Sequence, residues 1–210
     1  PPETKGYTTS VISVYLWAVE CAHVTGKMSD AEYEKALDET QKLVDQFQTV
    51  VEESEAWYDR NRTTIVNSDR LYFLGYGIDF ATAIEAQLKV GEMLRLPALG
   101  YEIEEYSHGP TMAISKKQTI CIIGSDEAEF EHSVDFSKSF KKYTDRVHFI
   151  TCKDLGNDPR DCVFSVKTNK YLAPLMFTVP FQFVAAKGAK DIGIDTAINP
   201  FDENLAHYKD

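Results

Sequence analysis

Glu92 and His108 stand sixteen residues apart, at the two ends of Glu92-Met-Leu-Arg-Leu-Pro-Ala-Leu-Gly-Tyr-Glu-Ile-Glu-Glu-Tyr-Ser-His108-Gly-Pro. A carboxylate on a helix end and an imidazole on a nearby loop are what proton shuffling on a small sugar would require. Pro97 lacks the amide a helix needs and disfavours helix at Leu96, so the helix carrying Glu92 is expected to stop there. A short strand from Leu99 to Ile103 and one turn of helix then deliver His108.

The elements that must position this pair follow from periodicity. Tyr7 to about Thr25 reads as an almost wholly apolar helix ended by Gly26, with Thr8, Thr9 and Ser10 near its start. Ser29-Asp-Ala-Glu32 has the form of a capping box and predicts a helix running to about Tyr58, with Leu37, Val44, Phe47 and Val51 on one side. Asn61 to Ser68 reads as a polar connector. From Asp69 strands and helices alternate. Strands are expected at Arg70–Leu74, Gln118–Ile123, Val147–Thr151 and Cys162–Val166, and helices at Asp79–Leu96, Glu127–Tyr143 and Tyr171–Gly188. The run Gln118-Thr-Ile-Cys-Ile-Ile123 is apolar enough for a strand covered on both faces. This order predicts an α/β fold, a parallel sheet with helices on both sides and ligands beyond the carboxyl ends of the strands. Gly77 and Gly124-Ser125 occupy that edge.

Composition narrows the partners. With 210 residues, a formal net charge of −11 and a pI near 4.9, the chain is a poor match for nucleic acid or an anionic membrane surface. The apolar run Val11–Val24 contains Ser13, Glu20 and His23 and reads as a buried helix, so no membrane span is expected. Cys21, Cys121, Cys152 and Cys162 show no paired metal-ligand spacing and are expected to be reduced, buried thiols of a cytoplasmic protein. Neither a metal nor an organic cofactor is expected: Gly75-Tyr-Gly77 lacks the third glycine of a dinucleotide loop. His23, His132 and His148 read as structural or surface residues. The chain begins Pro-Pro-Glu without a methionine and is expected to be a fragment or processed product.

Four segments together resemble the sugar isomerase (SIS) domain family, specifically the second half of a tandem-SIS protein. Leu74-Gly-Tyr-Gly77 followed by Ala83-Ile-Glu85-Ala-Gln-Leu-Lys89-Val-Gly-Glu92 is similar to Gly-Arg-Gly and Ala-Leu-Glu-Gly-Ala-Leu-Lys-Leu-Lys-Glu of glucosamine-6-phosphate synthase. Glu105-Tyr-Ser-His108-Gly-Pro110 resembles its Glu-Leu-Lys-His-Gly-Pro, and Pro174-Leu-Met-Phe-Thr-Val-Pro180-Phe-Gln182 its Pro-Ile-Phe-Tyr-Thr-Val-Pro-Leu-Gln. Lys5-Gly-Tyr-Thr-Thr9 is similar to the segment opening the last helix region of the first SIS half, and with Thr8 and Thr9 could equally line a cleft or cap the helix.

The resemblance implies a three-layer, flavodoxin-like SIS domain at residues 67–190, preceded at 1–66 by helices of an incomplete first half and a connector, and followed at 191–210 by a tail that contributes to the site. It implies that Glu92 moves a proton between C1 and C2 of an opened sugar and that His108 opens the ring, in the family from across a subunit interface. A homodimer or larger homo-oligomer is therefore expected. Glu85, seven residues before Glu92 and about two turns away, would be a supporting carboxylate facing the same cleft. A glutamate held near an apolar wall and a second carboxylate should titrate high. Two departures steer the substrate. His207 in Glu203-Asn-Leu-Ala-His207-Tyr stands where the synthase has a lysine, and an imidazole is no fixed ammonium. Gly75-Tyr-Gly-Ile-Asp79 carries a carboxylate that would repel phosphate. The first favours a fructosamine-6-phosphate deglycase, which releases an amino acid from a phosphorylated ketosamine, over the expected alternatives: a phosphosugar aldose–ketose isomerase, a synthase-type aminotransferase, or a non-catalytic sugar-phosphate-binding regulator. The second means that the phosphate is not expected on this loop.

Overall fold

The computed structural model describes residues 4–125, 127–198 and 200–201. Three helices come first: α1 (Lys5–Val24), α2 (Asp30–Asp45) and α3 (Phe47–Val66). They are followed by β1 (Arg70–Gly75), α4 (Ile78–Leu94), β2 (Ala98–Glu102), α5 (Ile103–Ser107) and a 3-10 turn at Pro110–Ala113. The chain continues through β3 (Gln118–Ile123), α6 (Phe130–Phe140), β4 (Val147–Thr151), β5 (Cys162–Val163), α7 (Ala173–Phe177) and α8 (Val179–Asp191). All pairings are parallel and the sheet order is β2-β1-β3-β4-β5. Connections leave β1 first toward β2 and then, after β2, toward β3. The direction therefore reverses between β1 and β3, and their carboxyl ends border the crevice where ligands of such sheets sit.

Period-two alternation sends the strand side chains to two separate cores. Leu71, Phe73, Cys121, Ile123 and Ile150 pack with α3, α4 and α8 on one face, whereas Tyr72, Leu74, Ile120, Ile122 and Phe149 pack with α5 and α6 on the other. The expected α/β architecture and its strand positions are as read from sequence, with β5 shorter than Cys162–Val166. At Ser165 the amide is held by the Glu53 carboxylate at 3.1 Å instead of by a neighbouring strand.

Three helix expectations change. The helix from Ser29 starts on the expected capping box, with Ser29 N donating to Glu32 Oε2 at 2.8 Å and Glu32 N to Ser29 Oγ at 3.3 Å, but Gln46 splits it into α2 and α3. Most of the polar connector expected at 61–68 is in fact the end of α3, which runs to Val66 with Asn67 at its C-cap. Asn61 is buried and its amide donates to the carbonyls of Trp57 and Pro159, so a polar residue is accommodated inside the helix face. The long apolar helix from Tyr171 breaks at Thr178, because Pro180 offers no amide to Met176 and its ring crowds that carbonyl. The Thr178 hydroxyl donates to the Pro174 carbonyl at 2.7 Å across the break.

Only Val19 of α1 is fully buried, and Val14, Trp17 and Val24 are exposed, Trp17 at 70%. Of the cysteines, Cys121, Cys152 and Cys162 are buried as expected, while Cys21 is exposed on this same helix. Among the described residues no helix is long and apolar enough to cross a membrane.

Candidate functional site

α4 begins where β1 ends, and the turn between them requires two glycines. A Cβ on Gly75 would lie 2.4 Å from the Asp79 carbonyl carbon, and Gly77 has φ of 55°, which side chains resist. From that start α4 runs along one face of the sheet and carries Glu85, Lys89 and Glu92 at successive turns, i, i+4 and i+7, so all three project from one side. Apolar packing of Ala83, Ala86, Val90 and Leu94 against the core fixes which side that is.

Lys89 links the two carboxylates. Its side chain is only 6% exposed, and Nζ lies 3.0 Å from Glu92 Oε2 and 3.9 Å from Glu85 Oε1. The longer distance is within ionic range but beyond a hydrogen bond, and Glu85 Oε1 is buried without a hydrogen-bond partner. Glu85 therefore titrates above the ordinary carboxylate range: burial pushes it up, the Lys89 ammonium opposes that, and the Glu92 charge adds to the rise. The expected high-titrating glutamate is thus Glu85, at the buried end of the row. Tyr7 of α1 reaches the same end. Burial raises its phenol, a hydrogen bond with Thr178 lowers it, and the Glu85 charge raises it further.

Glu92 is at the open end. It lines a groove of about 620 Å³ with Gly91, Arg95, Leu96, Pro97, Pro200 and Phe201. His108 is delivered, as expected, by the single turn of α5, where it occupies the C-cap with its amide donating to the Glu105 carbonyl at 3.3 Å. It is exposed and is not among the residues lining the Glu92 groove, so one chain by itself does not bring these two together there. His207 lies outside the described residues. Lys5, Thr8 and Thr9 act within α1: the Thr8 and Thr9 hydroxyls donate to the carbonyls of Thr4 and Lys5, the pattern of helical threonines.

The crevice between β1 and β3 is filled by the protein's own carboxylates. Asp79 is 1% exposed, and its Oδ2 accepts from the Ser125 amide at 2.8 Å and hydroxyl at 3.0 Å. Burial lifts its carboxyl to about 7, the two Ser125 hydrogen bonds pull it down, Glu127 raises it and Lys170 lowers it. Glu127 Oε1 accepts from the Ile78 amide at 3.4 Å, at the amino end of α4, and Lys170 Nζ lies 3.2 Å from its other oxygen. A carboxylate thus stands where a helix amino end would otherwise favour an anion. Among the described residues no group of three or more His, Cys, Asp or Glu side chains could hold a metal ion.

Sequence reasoning missed Lys89 and Tyr7. A lysine on a helix reads by default as a solvated charge, but its spacing of four from Glu85 and three from Glu92 was visible. Of the other histidines, His23 pairs with Asp30 at 2.9 Å and His132 with Glu104 at 2.8 Å, both near the surface. His148 is fully buried, its Nδ1–H donating to the Arg160 carbonyl 2.8 Å away, and burial depresses its titration to about 4.

Comparison with known proteins gives this arrangement its context. The chain is 25% identical over 198 residues to a glutamine–fructose-6-phosphate aminotransferase (isomerizing) of Clostridium tetani, a match covering 91% of this chain and 32% of the relative. It superposes with a TM-score of 0.84 and 26% identity on a candidate phosphosugar isomerase of Clostridium difficile 630, over 97% of this chain and 57% of that one. A glucosamine-6-phosphate deaminase of Thermotoga maritima shares the fold at a TM-score of 0.73 and 20% identity, over 96% of this chain and 56% of that one. The chain therefore spans about a third of the length of the aminotransferase and somewhat over half of the two structures. The SIS domain profile matches residues 64–189, from the end of α3 through α8 and including the whole Glu85–Lys89–Glu92 row, so the chain belongs to the SIS domain family.

Proposed function

We propose that this chain supplies the proton-transfer half of an enzyme acting on a phosphorylated sugar. The observation that carries the reading is the Lys89 ammonium set between a buried and an open carboxylate on one face of α4. Glu92 is the base that moves a proton between C1 and C2 of the open-chain substrate. Lys89 holds its carboxylate in place from the protein side, and Glu85 keeps Lys89 anchored below the surface. His108 opens the sugar ring from a second protomer, since its own chain leaves it exposed and away from the Glu92 groove. Residues 1–66 belong to a first SIS half, and the phosphate is held outside the β1–β3 crevice, which Glu127 already occupies.

Within that chemistry we favour a deglycase. The substrate is a fructosamine 6-phosphate: proton transfer gives an enaminol and then an imine, and water hydrolyses the imine to hexose 6-phosphate and a free amine or amino acid. His207 in place of a lysine favours it over amination. A second reading, isomerisation or amination of fructose 6-phosphate, is favoured by the 25% identity to the aminotransferase over nearly the whole chain.

The test uses the complete protein incubated with fructoselysine 6-phosphate, fructoseaspartate 6-phosphate, or fructose 6-phosphate with ammonia or glutamine, in deuterated water. Release of glucose 6-phosphate with deuterium at C2 is expected from the ketosamines. Glucosamine 6-phosphate formed from fructose 6-phosphate would turn the assignment to the second reading. Ligand-dependent thermal stabilisation without turnover would instead indicate a binding module. Undiminished product release by Glu92→Gln would sink the proposed mechanism.

A further inference from the structure

The Glu92 groove has two walls from distant parts of the chain. One is the end of α4 and the turn into β2, at Gly91, Arg95, Leu96 and Pro97; the other is the segment after α8, at Pro200 and Phe201. What joins them is Arg95. Its Nη2 donates to the Ile198 carbonyl at 2.6 Å and the Asp195 carbonyl at 3.3 Å, about a hundred residues away in sequence. The segment it grips is itself turned, with Ala197 N donating to Asp195 Oδ1 at 2.9 Å and Ile198 N to the Asp195 carbonyl at 3.4 Å. Both carbonyls are thus presented to one guanidinium, whose planar fork can serve two acceptors at once.

Arg95 is also the single non-glycine residue with positive φ among the described residues, at φ 55° and ψ 28°. Pro97 forces α4 to end here, and the helix closes on a left-handed residue, a position glycine fills without strain. A side chain at such a position costs stability, and strained backbone of this kind concentrates where the residue serves a site. Glycine would cap α4 better and would leave the groove's outer wall untethered.

We propose that Arg95 is a positioning residue, tying down the turn at 193–198 and so setting Pro200 and Phe201 as the groove's outer wall beside Glu92. This rests on the reading of Glu92 as the proton-transfer group. The strap fixes the turn that follows α8, so that substrate enters a groove of set width.

Arg95→Gly separates the two demands on this position, and hydrogen exchange on the complete protein reads the strap without any substrate. Amides from Gly193 to Ile198 should exchange at least about tenfold faster in Arg95→Gly, because their tether is gone, while the thermal midpoint stays level or rises as the left-handed strain is relieved. Arg95→Ala, which keeps the strain, should show the same faster exchange with a lower midpoint. Unchanged exchange in both variants overturns the proposal. On the substrate the wild type turns over, Arg95→Gly should lose about tenfold in kcat/KM, with Arg95→Lys recovering part of it. Faster exchange with wild-type kinetics would also overturn the proposal, since the segment would then be held without serving the site. Absence of wild-type turnover on every phosphosugar tried counts against the reading of Glu92, and the exchange comparison then decides on the strap alone.

Discussion

Lys89→Met should cost about 2–3 kcal/mol of stability at pH 8 and lower phosphosugar turnover by about 100-fold. Methionine fills a similar unbranched volume in a nearly buried place, so packing is largely kept and the lost quantity is the charge. Two effects follow from the single deletion. Glu92 loses the donor 3.0 Å away that fixes its carboxylate, and Glu85 loses the one charge that opposes the upward push of burial on its titration. The pH dependence distinguishes this from a packing defect. Without Lys89 the folded chain holds the Glu85 proton to still higher pH than the unfolded chain does. The added destabilisation therefore appears as pH rises above the ordinary glutamate range and fades below it. Chemical denaturation at pH 4 and pH 8 checks this: a defect equal at both values would mean that volume, not charge, is what Lys89 supplies. The double variant Glu85→Gln/Lys89→Met should recover most of the stability at pH 8, a coupling that independent sites would not show.

Asp79→Asn should have the opposite sign. The folded carboxyl of Asp79 titrates at about 7, against 3.8 for an unconstrained aspartate. Between those values the unfolded chain has released the proton and the folded chain has not. Asp79 therefore leaves stability intact below pH 4 and withdraws it progressively as pH rises to 7, by up to about 4 kcal/mol. Asparagine keeps a carbonyl for the Ser125 amide and hydroxyl, carries no charge, but places an amide where Oδ1 is buried without a partner. Weighing that loss, the variant should be about 2 kcal/mol more stable than wild type at pH 8 and equal or slightly less stable at pH 4. A variant less stable at both pH values would show that the ionised carboxylate is wanted at this place, as a partner for charges such as Lys170.

How far the sequence discloses this protein depends on whether a residue's environment is local. The parallel sheet was legible because Gln118–Ile123 and Arg70–Leu74 are continuous apolar runs between helical stretches, a pattern that needs no tertiary information. The same holds for the stop before Pro97 and the turn of helix delivering His108. Where tertiary contacts decide, sequence misled. Asn61 looked like a connector residue because its polarity was visible and its partners, the carbonyls of Trp57 and Pro159, were not. Pro180 was in plain view, but the surrounding apolar run outweighed it in the reading. At the candidate site, Glu85 and Glu92 were singled out by their spacing and by family resemblance. Lys89 was passed over because nothing local says that a lysine between two glutamates is buried. Arg95 was invisible for a stronger reason: its partners are the backbone oxygens of residues a hundred positions away, and backbone acceptors leave no trace in residue type.

The contrast between the two tryptophans of this chain gives it a pair of built-in optical reporters. Trp17 faces water on α1, so iodide or acrylamide should quench its red-shifted emission in the native protein. Trp57 is wholly enclosed, with its indole N–H donating to the Arg160 carbonyl at 2.8 Å, and its bluer emission should resist quenching until the sheet core opens. Anything that covers α1 silences the first signal and leaves the second unchanged, so covering of that helix and unfolding of the domain can be followed separately in one cuvette.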